Sequence, residues 1–278
     1  MALTTQLGIT GRGERQGPPR LVATDLDGTI VRSDGSVSAR TREVLVDLDA
    51  RGVPVVFVTG RPLRWMEELW SSVGAHGLAI VANGAVVYDV GARQVRDVTG
   101  IAREAGLRLA QVITDAVPGT AFAIETVDGL RLGDGFTGRR PFPEETPRGL
   151  LEDVWDQDAT KVLVRHPSVP FEELREAVTA AVGDLATPSW SMEGLVEISA
   201  AGITKAATLE RVSAELGVSA ADVVAFGDMP NDLAMLTWAG TAYAMANAHA
   251  SVLEVAGHVA PSNDEDGVAT VLSELFGL

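Results

Sequence analysis

Asp25 and Asp27 stand two residues apart in the stretch LVATDLDGTI, residues 21–30. In extended chain, residues i and i+2 point to the same side. Both carboxylates therefore face one spot while Leu26 points away. Like charges this close repel, and each raises the other's pKa unless something positive lies between them. A divalent, oxygen-seeking cation answers that problem. More carboxylates stand at Asp228 and Asp232 in GDMPND, residues 227–232, with an amide at Asn231. Thr59 offers a hydroxyl beside Gly60, and Lys205 offers an ammonium. Oxygen ligands in this number, without His or Cys, select Mg²⁺ over zinc or copper. A lysine and glycine-flanked N–H groups suit the remaining oxygens of a phosphate. One carboxylate can be a nucleophile, and a second, two residues on, an acid and then a base. The set as a whole calls for phosphoryl transfer.

Taken singly, these residues say less. Thr59 can simply end a strand, Lys205 can be an exposed helix lysine, and Asp232 can cap a helix. Asn83-Gly84 reads as a tight turn rather than a ligand. Arg61 reads as an ion-pair partner near enough to touch a substrate. The four histidines have no partners at metal-ligand spacing and read as structural or surface residues.

The elements that would carry these side chains alternate between strand and helix. Leu21-Val22-Ala23 is a short apolar run ending in a loop, which marks a buried strand. Ser38 to Arg51 has a helical apolar face at Val44, Leu45 and Leu48, with Ser36 or Ser38 as cap and Gly52 as stop. Val53 to Val58 is a second buried strand, and it runs into Thr59-Gly60-Arg61-Pro62. Pro62 opens a helix predicted to reach about Val73. Leu78 to Ala82 is a third strand. This order means parallel βαβ units, whose right-handed crossovers bring the strand ends to one edge. Ligands bind at that edge, so Asp25, Thr59 and Asn83 should converge.

From about residue 86 to 192 the pattern changes. Alternating stretches such as Phe122 to Val127 and Lys161 to Arg165 interleave with the helical Ile101 to Val117 and Phe171 to Val182. A Gly-, Pro- and Arg-rich segment, Gly133 to Arg148, lies between them. This reads as an inserted α+β module with an antiparallel sheet. The parallel pattern returns with a strand at Leu195 to Ile198, a helix opened by Lys205, and a buried strand at Val223 to Phe226. The fold class is α/β: a Rossmann-like parallel-sheet core, residues 20–85 and 193–278, interrupted by an α+β domain at 86–192. Residues 1–19 show no periodicity and read as a flexible tail, with Arg12, Arg15 and the adjoining Arg20 as the only marked feature.

The totals narrow the functional classes. The net charge of −16 argues against nucleic acid, which needs clustered Lys and Arg. No cysteine is present, which removes disulfides, thiolate metal sites and Cys nucleophiles and suits a cytoplasmic location. No apolar run is long enough to span a membrane, so no membrane partner is expected.

DLDGT at 25–29, VTGR at 58–61, the lone Lys205 and GDMPND at 227–232 resemble, in order and spacing, the four motifs of the haloacid dehalogenase superfamily of phosphatases. NGA at 83–85, SAAGITKA around Lys205, AMANA at 244–248 and SNDEDGVA at 262–269 are similar to its Cof-type branch, the IIB subfamily with a C2 cap. The resemblance covers the chain after about Leu21. It implies that Asp25 attacks phosphorus, and that Asp27 protonates the leaving alcohol and then activates water. It implies Mg²⁺ held by the Asp25 side chain, the Asp27 backbone carbonyl and Asp228, with Asp232 behind as support. Thr59, Gly60, Lys205 and the Leu26 N–H would cradle the phosphoryl oxygens, and Asn231 would contact the phosphate. The substrate would be a small phosphorylated metabolite, and the insert would close over the site. Two other readings stay open: a sugar phosphomutase of the same superfamily, with Arg131, Arg139 and Arg140 as candidate holders of a second phosphate, and a non-catalytic phospholigand-binding protein.

Overall fold

The computed structural model describes residues 17–67, 69–70, 77–139 and 141–278. Most of the expected tail, the distal part of the helix predicted from Pro62, and Arg12, Arg15, His76 and Arg140 lie outside the described residues. Of residues 1–19 only 17–19 are described, and Pro19 is buried.

The central sheet has eight strands in the order β14-β13-β12-β1-β2-β3-β4-β5. β1 (Leu21–Thr24) sits in the middle, parallel to β12 (Val223–Gly227) on one side and β2 (Val55–Val58) on the other. β3 (Leu78–Val81), β13 (Thr241–Met245) and β14 (His258–Ala260) continue the parallel pattern. Every residue of β1, β2, β3 and β12 is buried, as strands covered on both faces must be. Side-chain alternation divides them between two helical layers. Val22, Phe57 and Phe226 pack with α1 (Ala39–Ala50) and the C-terminal helix Gly267–Phe276. Leu21, Ala23, Val56 and Val58 pack instead with helices Lys205–Glu215 and Leu233–Trp238. Ser38 caps α1, accepting the Thr41 N–H at 3.0 Å.

The second sheet has six strands in the order β10-β11-β9-β6-β7-β8. They are β6 (Ala121–Thr126), β7 (Gly129–Gly133), β8 (Arg148–Gly149), β9 (Lys161–Arg165), β10 (Ala186–Ser189) and β11 (Val196–Ala200). All neighbours are antiparallel except β7 and β8. α2 (Arg103–Ala116) and α4 (Phe171–Val182) bury Leu109, Ile113, Leu174 and Val178 against one face; α3 is the single turn Leu151–Val154. Ala123, Leu163 and Leu195 lie on the other face. The helices that follow are α5 (Lys205–Glu215), α6 (Leu233–Trp238), α7 (Ala250–Leu253) and α8 (Gly267–Phe276).

The α/β class with an inserted α+β module agrees with the sequence reading, but three strands, at the two ends of the insert, lie across the lines it drew. β4 (Val86–Asp89) and β5 (Gln94–Val98), expected in the 86–192 insert, extend the central sheet as an antiparallel edge. β11, expected in the 193–278 core, belongs to the second sheet, between β9 and β10. The cause is the same in both. A short apolar run reports that a strand is buried, not which strand it pairs with. The tight turn at Ala82–Gly84 returns the chain beside β3, so β4 pairs there before the insert departs.

Candidate active site

Asp25 follows the last residue of β1, and its N–H bonds to the Phe226 carbonyl on β12 at 3.0 Å. The carbonyl of Leu26 then accepts from Thr29, Ile30 and Val31, which turns the chain sharply. Leu26 is buried in the core as alternation requires, while Asp25 and Asp27 both line one pocket. Thr59, Gly60, Lys205 and Asn231 line the same pocket. Asp228 and Asp232 stand behind it, off the end of β12. Residues separated by as many as 207 positions (Asp25 to Asp232) thus converge because parallel strands all present their C-terminal ends to one edge.

Charge is the main fact of this pocket. Oxygens of Asp25, Asp228 and Asp232 lie within 4.8 Å of one another, and all three residues are buried. Lys205 meets two of them, donating to Asp25 Oδ1 at 2.8 Å and Asp232 Oδ1 at 2.6 Å. Burial works to lower the lysine's pKa, but Asp232 and Asp25 outweigh it and hold the ammonium firmly protonated. One cation against three carboxylates leaves an excess of negative charge. Burial, with Asp232 and Asp228 adding to it, pushes Asp25 well above the ordinary carboxylate range. Burial first, then Asp232, pushes Asp228 up to about 7. A hard divalent cation among these oxygens would reverse both effects, and an all-oxygen donor set is the one such ions take. The residues therefore fit a metal ion.

The three side chains of this cluster are not the metal set read from the sequence, and the difference has a reason. The Asp27 carboxylate is 56% exposed and held by Arg61 in a bidentate pair. Its side chain is outside the cluster, which leaves its backbone carbonyl as the contribution expected of it. Asp232 is spent internally. One oxygen takes Lys205, and the other accepts the N–H groups of Asp228 and Met229, both at 3.0 Å. Its geometry is that of a support which orients Lys205 and the Asp228 loop. Asp228 has one oxygen engaged by the Thr29 hydroxyl at 3.0 Å. Its other oxygen lies where a Cβ on Gly28 would be, 2.2 Å away, so only glycine, here at φ +72°, lets the two loops meet.

The second loop is built as closely. Thr59 is buried, and its hydroxyl accepts the Arg61 N–H at 3.0 Å. A side chain at Gly60 would strike Asn83 at 2.9 Å. Asn83 is more than a turn residue. It sits in the left-handed region at φ 58°, buried, and its amide donates to Glu197 at 2.8 Å and Ser189 at 3.2 Å. Asn231 donates to Asn83 Oδ1 at 3.1 Å, and its own Oδ1 is buried with no partner among the described residues.

Sequence reasoning missed what the second sheet brings to this pocket. Lys161 on β9 is buried and donates to the Gly60 carbonyl at 2.6 Å and to Glu197 on β11 at 2.8 Å. Arg64, beyond β2, forms a bidentate pair with Glu125 on β6. Lys161, Glu125 and Glu197 all line the pocket with Asp25. A signal was there: a charged residue beginning or interrupting an otherwise apolar strand, KVLV at 161–164 and VEI at 196–198, needs a buried partner. Arg131, a candidate for a second phosphate, is turned to Asp156 and the Gly129 carbonyl instead.

An α/β core with carboxylates gathered at the strand ends, under an inserted sheet, is a frame on which hydrolases are built, and its three clustered aspartates could hold a metal ion. The sequence profile of the haloacid dehalogenase-like hydrolases matches residues 22–272, and the chain belongs to that family. It is a phosphatase of the Cof type. A 5-amino-6-(5-phospho-D-ribitylamino)uracil phosphatase of Bacillus subtilis is 30% identical over 261 residues, 91% of this chain and 94% of that protein. A phosphoglycolate phosphatase of Halorubrum lacusprofundi is 31% identical over 265 residues, 93% of this chain and 97% of that protein. A crystal structure of a Streptococcus mutans protein superposes with a TM-score of 0.81 at 23% identity, over 94% of this chain and 100% of that one, a likeness of fold. Among the described residues, no helix is long and apolar enough to cross a membrane.

Proposed function

We propose that this protein is a Mg²⁺-dependent phosphatase that hydrolyses a small phosphorylated metabolite, a sugar phosphate or related organic phosphate, through an aspartyl phosphate on Asp25. The observation that carries this reading is the meeting of Asp25, Lys205, Asp228 and Asp232 at one strand edge. Asp25, the Asp27 backbone carbonyl and Asp228 would hold the ion, with Asp232 fixing the loop behind. Bound Mg²⁺ would supply positive charge that lets an anionic carboxylate approach an anionic ester.

The chain's own residues then divide the work. An Asp25 oxygen attacks phosphorus as the bond from phosphorus to the ester oxygen breaks. Asp27, released from Arg61 and taking up a proton from solvent as the substrate enters, gives that proton to the departing oxygen. Asp27 next takes a proton from water, whose oxygen attacks phosphorus and frees Asp25 and inorganic phosphate. Lys205, Thr59, the N–H groups of Leu26 and Gly60, and Asn231 cradle the phosphoryl oxygens. For Asn231 this means turning its amide away from Asn83. The inserted module, redrawn to run from about residue 99 to 200, acts as a cap. Leu163, Met192 and Leu195 from it line the pocket and would keep water from the reacting atoms. The relatives' different named substrates agree in being small organic phosphates, which supports the class and leaves the individual ester to experiment.

A panel of phosphorylated metabolites assayed for released phosphate, with p-nitrophenyl phosphate as a generic substrate, tests the reading. Mg²⁺-dependent turnover that Asp25→Asn abolishes is the expected result. Undiminished turnover in that variant, or full activity after exhaustive chelation, would overturn it.

A further inference from the structure

We propose that the cleft beside the catalytic pocket binds a second anionic group, phosphate or carboxylate, at the end of the substrate remote from the scissile ester. This rests on the phosphatase reading above and adds a defining feature to the substrate class. β9 supplies the geometry. Val162 and Val164 are buried toward α2 and α4, so Lys161, Leu163 and Arg165 share the opposite face. Lys161 reaches Gly60 at the floor of the catalytic pocket, and Leu163 lines both that pocket and the adjoining cleft. Arg165 lines the cleft and not the catalytic pocket. Four residues at about 3.3 Å each set Arg165 about 13 Å along the strand from Lys161. The cleft encloses about 560 Å³, and Trp65, Phe136 and Phe142 give it apolar walls.

Its charge is unbalanced in the positive sense. Arg64 is neutralised by Glu125. Arg139 donates to the backbone carbonyl of Glu193 at 2.9 Å and, among the described residues, pairs with no carboxylate. Arg165 has no hydrogen-bond or ion-pair partner among the described residues, and its Nε is buried. Its neighbour on β6 is Ala121, which can offer it nothing. Burial, and then the positive charge of Arg139, pull the Arg165 pKa below the usual guanidinium value. A guanidinium carries five donors in a fork that matches a carboxylate or phosphate, and a buried donor left unpaired is costly. Two arginines set side by side without a counter-ion among the described residues, in a chain of net charge −16, mark a place for an anion. The spacing along β9 makes that anion the far terminus of an extended leaving group, not a neighbour of the ester.

Three substrates of equal chain length test this: hexyl phosphate, hexanediol bisphosphate and phosphohexanoate, each assayed for released phosphate with Mg²⁺ present. The doubly anionic pair should exceed hexyl phosphate in kcat/KM by at least about tenfold, chiefly through KM. The better of the two tells whether the far group is phosphate or carboxylate. Arg165→Gln should bring the ratio close to one, and Arg165→Lys should restore part of it. Arg139→Gln, at an exposed position, should lower the ratio by less and keeps the test sound if the substitution at the half-buried Arg165 disturbs folding. A ratio near one in the native protein, with hexyl phosphate turned over, overturns the subsite and leaves the phosphatase standing. So does a ratio that survives Arg165→Gln in a folded protein. Failure to hydrolyse all three and p-nitrophenyl phosphate removes the phosphatase reading, and the subsite with it.

Discussion

Lys205 and Lys161 are each 1% exposed, yet the groups they meet differ in kind. Lys205 belongs to the parallel core and faces two carboxylates, with a third close by. Lys161 belongs to the inserted sheet and faces one carboxylate and a neutral backbone carbonyl. The second arrangement is balanced. One charge meets one charge, the remaining donors and acceptors are shared with Gly60 and Asn83, and nothing more is called for. The first arrangement is not balanced, and the surplus negative charge is what a bound cation would answer. A buried ion pair that closes on itself holds structure together, whereas one that leaves charge over marks where chemistry is done.

The largest effects should come from breaking the unbalanced cluster. Asp25→Asn should lower phosphatase turnover by about three orders of magnitude or more while circular dichroism stays native. Lys205→Met should also abolish turnover, and it should cost about 3–5 kcal/mol of stability in metal-free protein, because two buried carboxylates lose their partner. Retained activity in either variant would mean that the strand edge is not where the ester reacts.

The balanced pair should behave otherwise. Lys161→Met alone leaves Glu197 buried and uncompensated, and a loss of about 3 kcal/mol is expected. The double variant Lys161→Met, Glu197→Gln should recover much of that loss, and a urea-unfolding cycle measures the coupling. Turnover should fall by about tenfold in the single variant, through the Gly60 and Asn83 contacts, rather than vanish. A collapse of activity as complete as that of Lys205→Met would erase the distinction drawn between the two lysines.

A pH titration sharpens it further. Asp228 titrates near 7 in the metal-free fold, against about 3.9 for an unfolded aspartate. The folded state therefore binds the proton more tightly than the unfolded chain. The stability this confers is complete below about pH 4 and is lost as pH rises through about 7. Metal-free protein should melt at a lower temperature at pH 8 than at pH 5.5. The rise in melting temperature on adding Mg²⁺ should be larger at pH 8, by several degrees. An equal Mg²⁺ gain at both pH values would show that the cation does not compete with protons at these carboxylates. The smallest effect is expected at Arg64 and Glu125. Their pair bridges core and insert; the arginine side chain is 32% exposed but Glu125 is only 4% exposed, and because glutamine can still donate one hydrogen bond to that carboxylate, Arg64→Gln should cost about 1–2 kcal/mol, less than Lys161→Met.

Much of this molecule is legible in its amino-acid sequence. The strands that carry Asp25, Thr59 and Asp228 announce themselves as short apolar runs ending in polar loops, and their alternation with helices implies a common edge. That is why residues far apart along the chain could be named together as one site. The boundaries of the insert were less legible. Leu195 to Ile198 reads as a buried strand in either sheet, and Val86 to Val98 changes pattern before it leaves the central sheet. Lys161 and Arg165 passed as polar members of an alternating strand. The apolar residues around Lys161 say that it needs a buried partner, but nothing local says which sheet or pocket supplies one.

Residue types and their periods determined the class of fold, the inventory of oxygen donors and the edge at which they gather, because these follow from local rules of chain geometry. Only the tertiary structure decided which charges find partners. It tied Asp27 to Arg61, spent Asp232 on Lys205 and two N–H groups, and, among the described residues, left Arg165 without an anion. Pairing depends on distances between side chains remote in sequence, and a buried charge is worth stabilising or costly according to what stands a few ångströms away.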